Sequence, residues 1–445
     1  TSLHQITIPD SVKSISDNAF WGCISLEKVT LSKSLETIGK YVFNGCKNLR
    51  EIEIPETVNT IGDSIFNKCE NLTKVVLPPN IQCIPRMSFA DCVSLDQISI
   101  PHKVDCIKQH AFENTSLVSV EIPSSVNSIE IYSFGFCKKL TSVSLPSTIS
   151  VIGSFSFANC PLLSTINIPP SVKSLEDGVF MGCCSLSKIE IPCSITKIPE
   201  SAFNGCSNLY DVSIPPSVTF IGKGAFKKCT ALKEITIPDS VQIIDDDAFE
   251  ECWDLVKFTF PSSCTKISKN TFNECHSLSE FVIHSKVQVI AKYAFKMCTA
   301  LTKINIPKSV TVIEQGAFRG CSALTHLEIP PSVTKIAENT FSECTAISIV
   351  TIPPSITVIA NEAFSRCSSL KELTIPSSVK SIGINTFMNC SALEHVSVHS
   401  LNVTFGPAAF KGCNSLVDIS HPDPMKFSIL KLYLGIDPKV RVKQI

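Results

Sequence analysis

The sequence predicts an α/β-type repeat solenoid, predominantly strand and turn, a coil of 18 full 23-residue repeats with a C-terminal cap. Three observations predict it. A leading apolar residue returns every 23 positions from Leu3, Leu26 and Leu49 to Leu416, with Ile347 the one substitute and the 22-residue step from Leu95 to Leu117 the one change of spacing. A phenylalanine follows 17 positions later in all 18 full repeats, from Phe20 to Phe410. An isoleucine stands 12 positions after the leading residue in 16 of them, replaced elsewhere by Leu175 and Phe405. Self-similarity at a fixed period marks supersecondary units that cannot bury their apolar face alone and do so by stacking.

Each element follows from one repeat. In Leu209 through Pro215, Val212 and Ile214 alternate with polar neighbours, the pattern of a short strand with one buried face. Pro215 ends it, because proline lacks the backbone donor that a ladder needs. Val218 and Ile221 are spaced for a second short extended or turn segment, and the stretch up to Phe226 and Cys229 for a tight turn or one helical turn. No window carries a ten-residue amphipathic helix. At the ~4.8 Å spacing of neighbouring strands, the 18 stacked coils predict a contour of roughly 90 Å. Residues 1–420 are thus expected to form the solenoid. Residues 421–445 leave the pattern at His421–Pro422–Asp423–Pro424, and are expected to be a C-terminal cap or the start of a truncated following region.

Composition narrows the partners. The formal net charge is −1 and charged residues make up 18% of the chain, so no basic excess points to nucleic acid or an anionic membrane. No run of 18 apolar residues predicts a transmembrane segment. The chain opens inside a repeat at Thr1–Ser2–Leu3 with no leader visible, as a fragment would, so targeting information is expected to be missing.

The repeat Ile237–Pro238–Asp239–Ser240–Val241 through Ala248–Phe249–Glu250–Glu251–Cys252 resembles the BspA-type, or Treponema-type, leucine-rich repeat. The resemblance covers residues 1 to about 420. It implies a curved, right-handed leucine-rich-repeat coil with a parallel sheet on one side, and no catalytic residues. Relatives are commonly surface proteins of bacteria and mucosal protists, associated with adhesion to host matrix, host cells or other microbes. A protein ligand and a cell-surface or extracellular site are therefore expected. An intracellular scaffold is the alternative, favoured by unpaired cysteines and the absent leader.

The residues themselves carry little chemistry. Phosphate-loop, dinucleotide, zinc-protease, nucleophile-elbow and Cys-x-x-Cys motifs are absent, so no enzyme activity, cofactor or metal is expected. Gly222–Lys223–Gly224 is a lone echo of a phosphate loop within an ordinary repeat turn. His395 and His399 are weak metal candidates. Of 22 cysteines, 17 occupy one repeat position from Cys23 to Cys413, with Thr115 taking the slot in the shortened repeat. Stacked at ~4.8 Å, they are spaced too widely for disulfides and too linearly for tetrahedral zinc, and read as small buried hydrophobes. Cys83 and Cys106 share a repeat position that is predicted exposed, and are the expected reactive thiols. The acidic run Asp245–Asp246–Asp247 with Glu250 and Glu251 suggests calcium less than a charge ladder, since Lys223, Lys227 and Lys228 lie 23 residues before Asp246, Glu250 and Glu251. Four N-x-[ST] sequons, at Asn71, Asn114, Asn389 and Asn402, matter only in a secreted chain.

Two faces are left for binding. The outward positions of the main sheet, from Gln5, Lys28 and Glu51 to His395, are polar and mixed in sign. Eleven residues after the leading position, Val151, Phe220, Ile243, Val289, Val312 and Val358 replace the Ser, Thr, Lys or Cys of other repeats. With Val and Ile at the adjoining core slots, this residue is expected to point outward and to form an apolar stripe on the second side. The competing possibility is that these side chains pack inward beneath a neighbouring turn.

Overall fold

The computed structural model describes residues 2–445, in two compact units, Thr1–Val218 and Thr219–Ile445. Each is a stack of coils with parallel strands on two sides and turns on the third. In the first unit Gln5–Thr7, Lys28–Thr30, Glu51–Glu53 and Lys74–Val76 pair in parallel, with Gln5 opposite Lys28 and Glu51 opposite Lys74. In the second unit Glu372–Ile375, His395–Val398, Asp418–His421 and Arg441–Gln444 pair in the same way. Partners are one period apart, so the sequence repeat is the sheet register. Central residues such as Val29 and Ile189 are buried while both neighbours are exposed, as a strand with one core face requires.

The second side carries two-residue strands such as Thr37–Ile38, Ser128–Ile129 and Ile243–Ile244. The serine of the Ile-Pro-x-Ser-Val motif has a specific role just before them. Ser194 Oγ donates to the Val172 carbonyl at 2.5 Å, Ser217 to Ile195 at 2.7 Å, and Ser309, Ser332 and Ser355 repeat the bond to the preceding coil.

The third side is neither an ordinary turn nor a helical turn. In each full repeat, the residues 15 and 19 positions after the leading one have positive φ, as at Asn18 (62°) and Gly22 (68°), Tyr41 (57°) and Gly45 (75°), and Asp247 (60°) and Glu251 (59°). This alternation aims every second N–H along the stack: Asn18, Phe20 and Gly22 donate to the carbonyls of Lys40, Val42 and Asn44 at 2.9, 3.0 and 2.8 Å. The turns therefore form a third intercoil ladder, invisible to the sequence pattern because most of its left-handed residues are not glycine.

The core of each unit holds a column of stacked rings. Phe20 to Phe203 in the first unit have centroids 5.2–5.9 Å apart. Phe226 to Phe410 in the second have centroids 5.3–5.8 Å apart. The repeat distance sets this spacing.

Residues 421–445 keep the register after losing the signature. Asp418 pairs with Arg441, 23 positions on, and between them the helix Pro424–Leu434 takes the place of the second strand and turn. Asp423 caps it by accepting from the Lys426 N–H at 3.0 Å, Pro424 opens it, and Gly435 at φ 71° ends it. Phe427 and Leu434 are buried against the last coil, whereas Met425, Ile429 and Leu432 are exposed. Apolar on both faces, the helix lacks the polar side that a search for amphipathic periodicity requires.

Candidate protein-binding faces

The lateral stripe is exposed. Ile243 is 53% exposed and its neighbour Ile244 1%; Val312 is 44% and Ile313 4%. Val151 is likewise exposed, and Phe220, Val289 and Val358 are half-buried. Inward packing is therefore overturned for Val151, Ile243 and Val312, while Phe220, Val289 and Val358 are partly covered: a two-residue strand whose isoleucine enters the core must send the preceding residue out. Phe220 lies in register with Ile243, and Val289 with Val312, so each pair forms a continuous apolar step. Lys266 adjoins Val289, and Lys335 adjoins Val358. Val151 stands apart in the first unit, between Ser128 and Ser174.

The sheet face is sign-mixed as read from the sequence. Lys188 pairs with Asp211 at 3.0 Å and Lys257 with Glu280 at 3.6 Å. A groove of about 1000 Å³ crosses it in the second unit, lined by Glu280, Val282, Lys303, Asn305, His326 and Glu328 among others. Opposite charges alternate along it, which favours no one class of ligand. A further surface escaped the sequence reading. On the turn side of the first unit, Tyr132 stacks between His110 (5.3 Å) and Phe155 (4.9 Å), with Phe136 alongside at 6.2 Å. Its signal lay in the column 15 positions after the leading residue, which the turn brings to the surface.

The acidic run is a charge ladder in part. Lys227 meets Glu250 at 2.6 Å and Lys228 meets Glu251 at 3.7 Å. Asp246 instead accepts from the Lys269 backbone N–H at 2.9 Å, and Asp247 from the Asn270 side chain at 2.9 Å. Among the described residues no cluster of three metal-ligating side chains occurs. His395 faces Asp418 at 3.1 Å rather than His399. Asp418 also accepts from Lys443 at 2.8 Å, and that cation, with His395 in support, holds its carboxyl below the usual range against the opposing effect of burial. Gly224 sits at φ 57° in the turn ladder, donating its N–H to the Asp246 carbonyl.

The cysteine column has a use beyond filling space. Cys46 Sγ donates to the Phe20 carbonyl at 3.2 Å, Cys69 to Phe43 at 3.1 Å, and the bond recurs through Cys298, Cys344 and Cys390 on Phe272, Phe318 and Phe364. Burial pushes the thiols of Cys69, Cys298 and Cys344 up, and those of Cys46, Cys183, Cys321 and Cys367 up to about 12. The expectation for reactive thiols needs correction. Cys83 and Cys106 are only half-exposed, and desolvation first, then Cys83 and Asp105, pushes Cys106 up to about 12. The exposed thiols are Cys184 and Cys193, in a loop and directly after a proline, where the side chains escape the strand.

With this geometry established, comparison identifies the family. The family model described as "BspA type Leucine rich repeat region (6 copies)" matches residues 1–117, 105–232, 196–325 and 288–417. The chain belongs to the BspA-type leucine-rich repeat family. Among solved structures, this BspA-type chain is similar to a leucine-rich repeat protein from Bacteroides ovatus, at 23% identity and TM-score 0.50, over 92% of this chain and 88% of that one. A leucine-rich cell surface protein from Faecalibacterium prausnitzii matches at 26% identity and TM-score 0.43, over 73% and 83% of the two chains. A leucine-rich repeat protein from Eubacterium ventriosum matches at 22% and 0.46, over 74% and 85%. No curated protein matches the sequence. Leucine-rich repeat proteins of this kind generally serve protein interaction, and the fold is typically non-catalytic. Among the described residues no helix is long and apolar enough to cross a membrane.

Proposed function

We propose that this BspA-type solenoid is a non-catalytic, adhesin-like protein, secreted or held at a cell surface, that grips a protein partner through its lateral stripe. The observation that carries the reading is the outward apolar column at Phe220, Ile243, Val289, Val312 and Val358, with Val151 separate, where other coils present Ser, Thr, Lys or Cys. Clustered exposed apolar side chains mark contact surfaces. Each contributes on the order of 1.5–3 kcal/mol when fully buried, less the part already covered and the cost of association. Replacing Phe220, Ile243, Val289 and Val312 together with Thr is expected to abolish capture of partners by the intact array while leaving its melting temperature within a few degrees. Early melting would assign these side chains to the core, and unchanged capture would move the site to another face.

The exposed thiols of Cys184 and Cys193 favour a second reading, an intracellular scaffold, because accessible unpaired thiols persist in reducing compartments. An immunoblot of fractionated cells separates the two: signal confined to the cytosolic fraction removes the adhesin reading.

A further inference from the structure

Resting on the stripe as the contact face, the geometry points to the chemistry of what it contacts: an extended peptide segment, one face of which alternates apolar and carboxylate side chains. In the second unit the outward column reads Phe220, Ile243, Lys266, Val289, Val312, Lys335, Val358. Two apolar residues and one lysine thus recur every three coils. Lys266 and Lys335 are exposed, and among the described residues neither forms an ion pair or hydrogen bond through its ammonium. The acidic side chains two positions further along the coils are engaged elsewhere. Asp245 accepts from the Asp246 N–H at 2.8 Å and Glu314 from the Lys292 N–H at 2.9 Å. The two lysines are therefore available to a partner.

Spacing selects the partner's conformation. Three coils advance about 14 Å, and so do about four residues of an extended strand at ~3.4 Å each. Side chains four apart on a strand share a face, so carboxylates at i and i+4 reach Lys266 and Lys335 together. The side chain at i+2 then falls about 7 Å from each, midway between Val289 and Val312. The one at i−2 falls between Phe220 and Ile243, and the one at i+6 beside Val358. A helix along the same line advances only about 6 Å in four residues, and cannot match both lysines with neighbouring turns.

The test uses the full chain and an immobilised peptide, Val-Thr-Glu-Thr-Val-Thr-Glu-Thr-Val, with a Lys-for-Glu version as control. The native chain is expected to bind the Glu peptide and not the Lys peptide. The double variant Lys266→Glu, Lys335→Glu is expected to bind the Glu peptide at least about tenfold more weakly and to prefer the Lys peptide, since like charges across an interface are repelled. Equal binding of the Glu peptide by native chain and double variant, or no binding by the native chain, overturns the inference. So does lysine-dependent binding to phosphatidylserine vesicles without peptide binding, or self-association lost in the double variant. The stripe variant with four threonines separates this from the broader reading. If it alone loses natural partners while charge reversal has no effect, the stripe stands and the acidic segment falls. If it retains both peptide and partners, the stripe itself is wrong.

Discussion

Phe272 shows how individual residues close this fold. Its carbonyl accepts from the Cys275 N–H in its own coil at 3.2 Å and from Cys298 Sγ in the next at 3.2 Å. A cysteine in that slot is small enough for the core and still supplies a donor. Alkylation under native conditions is therefore expected to modify Cys184 and Cys193 within minutes and to spare the buried column until denaturant is added. Peptide mass spectrometry finding Cys298 labelled as fast as Cys193 would remove the packed-thiol account. Cys298→Ala should destabilise by about 1–2 kcal/mol, from lost packing and the lost weak bond. The left-handed turn positions make an opposite prediction. Ala408 is held at φ 56°, a conformation that costs a residue with a Cβ roughly 1 kcal/mol. Ala408→Gly should raise the denaturation midpoint by a corresponding amount, and a lowered midpoint would show that unfolded-chain entropy outweighs the relief of strain.

At the level of elements, the C-terminal strand and helix depend on two aspartates. Asp423 caps the helix, so Asp423→Ala is expected to cost about 1 kcal/mol. Asp418 gathers Lys443, Arg441 and His395 around one carboxylate. Its folded pKa lies below that of the unfolded chain, so its stabilisation is present above about pH 4 and is lost as pH falls through the folded value. Asp418→Asn should accordingly lower the urea midpoint at pH 7 and converge with the native chain as acid protonates the folded carboxyl. A constant gap between the two across that range would show that the carboxylate's charge is irrelevant. The helix was hard to read for a related reason: Phe427 and Leu434 face the coil while Ile429 and Leu432 face out, and only the packing distinguishes them.

For the whole molecule, the 23-residue register implies that length is modular. Within each unit neighbouring coils are joined by parallel strand pairs and by the turn ladder, so stability is close to a sum of coil and interface terms. Deleting residues 278–300, one full period, should preserve a cooperative melt, because the coils it leaves side by side present matching columns. Deleting about half a period from the same place should not, since strand would then face turn. Circular dichroism distinguishes the outcomes, and equal damage from both deletions would refute modularity. The full-period deletion also brings Lys266 next to Val312 and removes Val289, so peptide binding should fall although folding persists.

The period, the columns of Leu, Phe, Ile and Cys and the outward position of Phe220 and Ile243 could all be read from the sequence, because strand alternation leaves only two faces on which a side chain can lie. The family could be recognised for the same reason: a core shared by every coil must be repeated in every coil. The tertiary structure alone decided the left-handed third ladder, where Asn, Tyr, Lys and Glu occupy φ values that their identities do not announce. It decided which thiols are exposed, since Cys83 and Cys193 differ in local path rather than in composition. It also decided that, among the described residues, Lys266 and Lys335 form no ion pair while Lys227 and Lys228 do. A repeat position fixes where a side chain starts, but its partner is set by which residues stand one coil away in space.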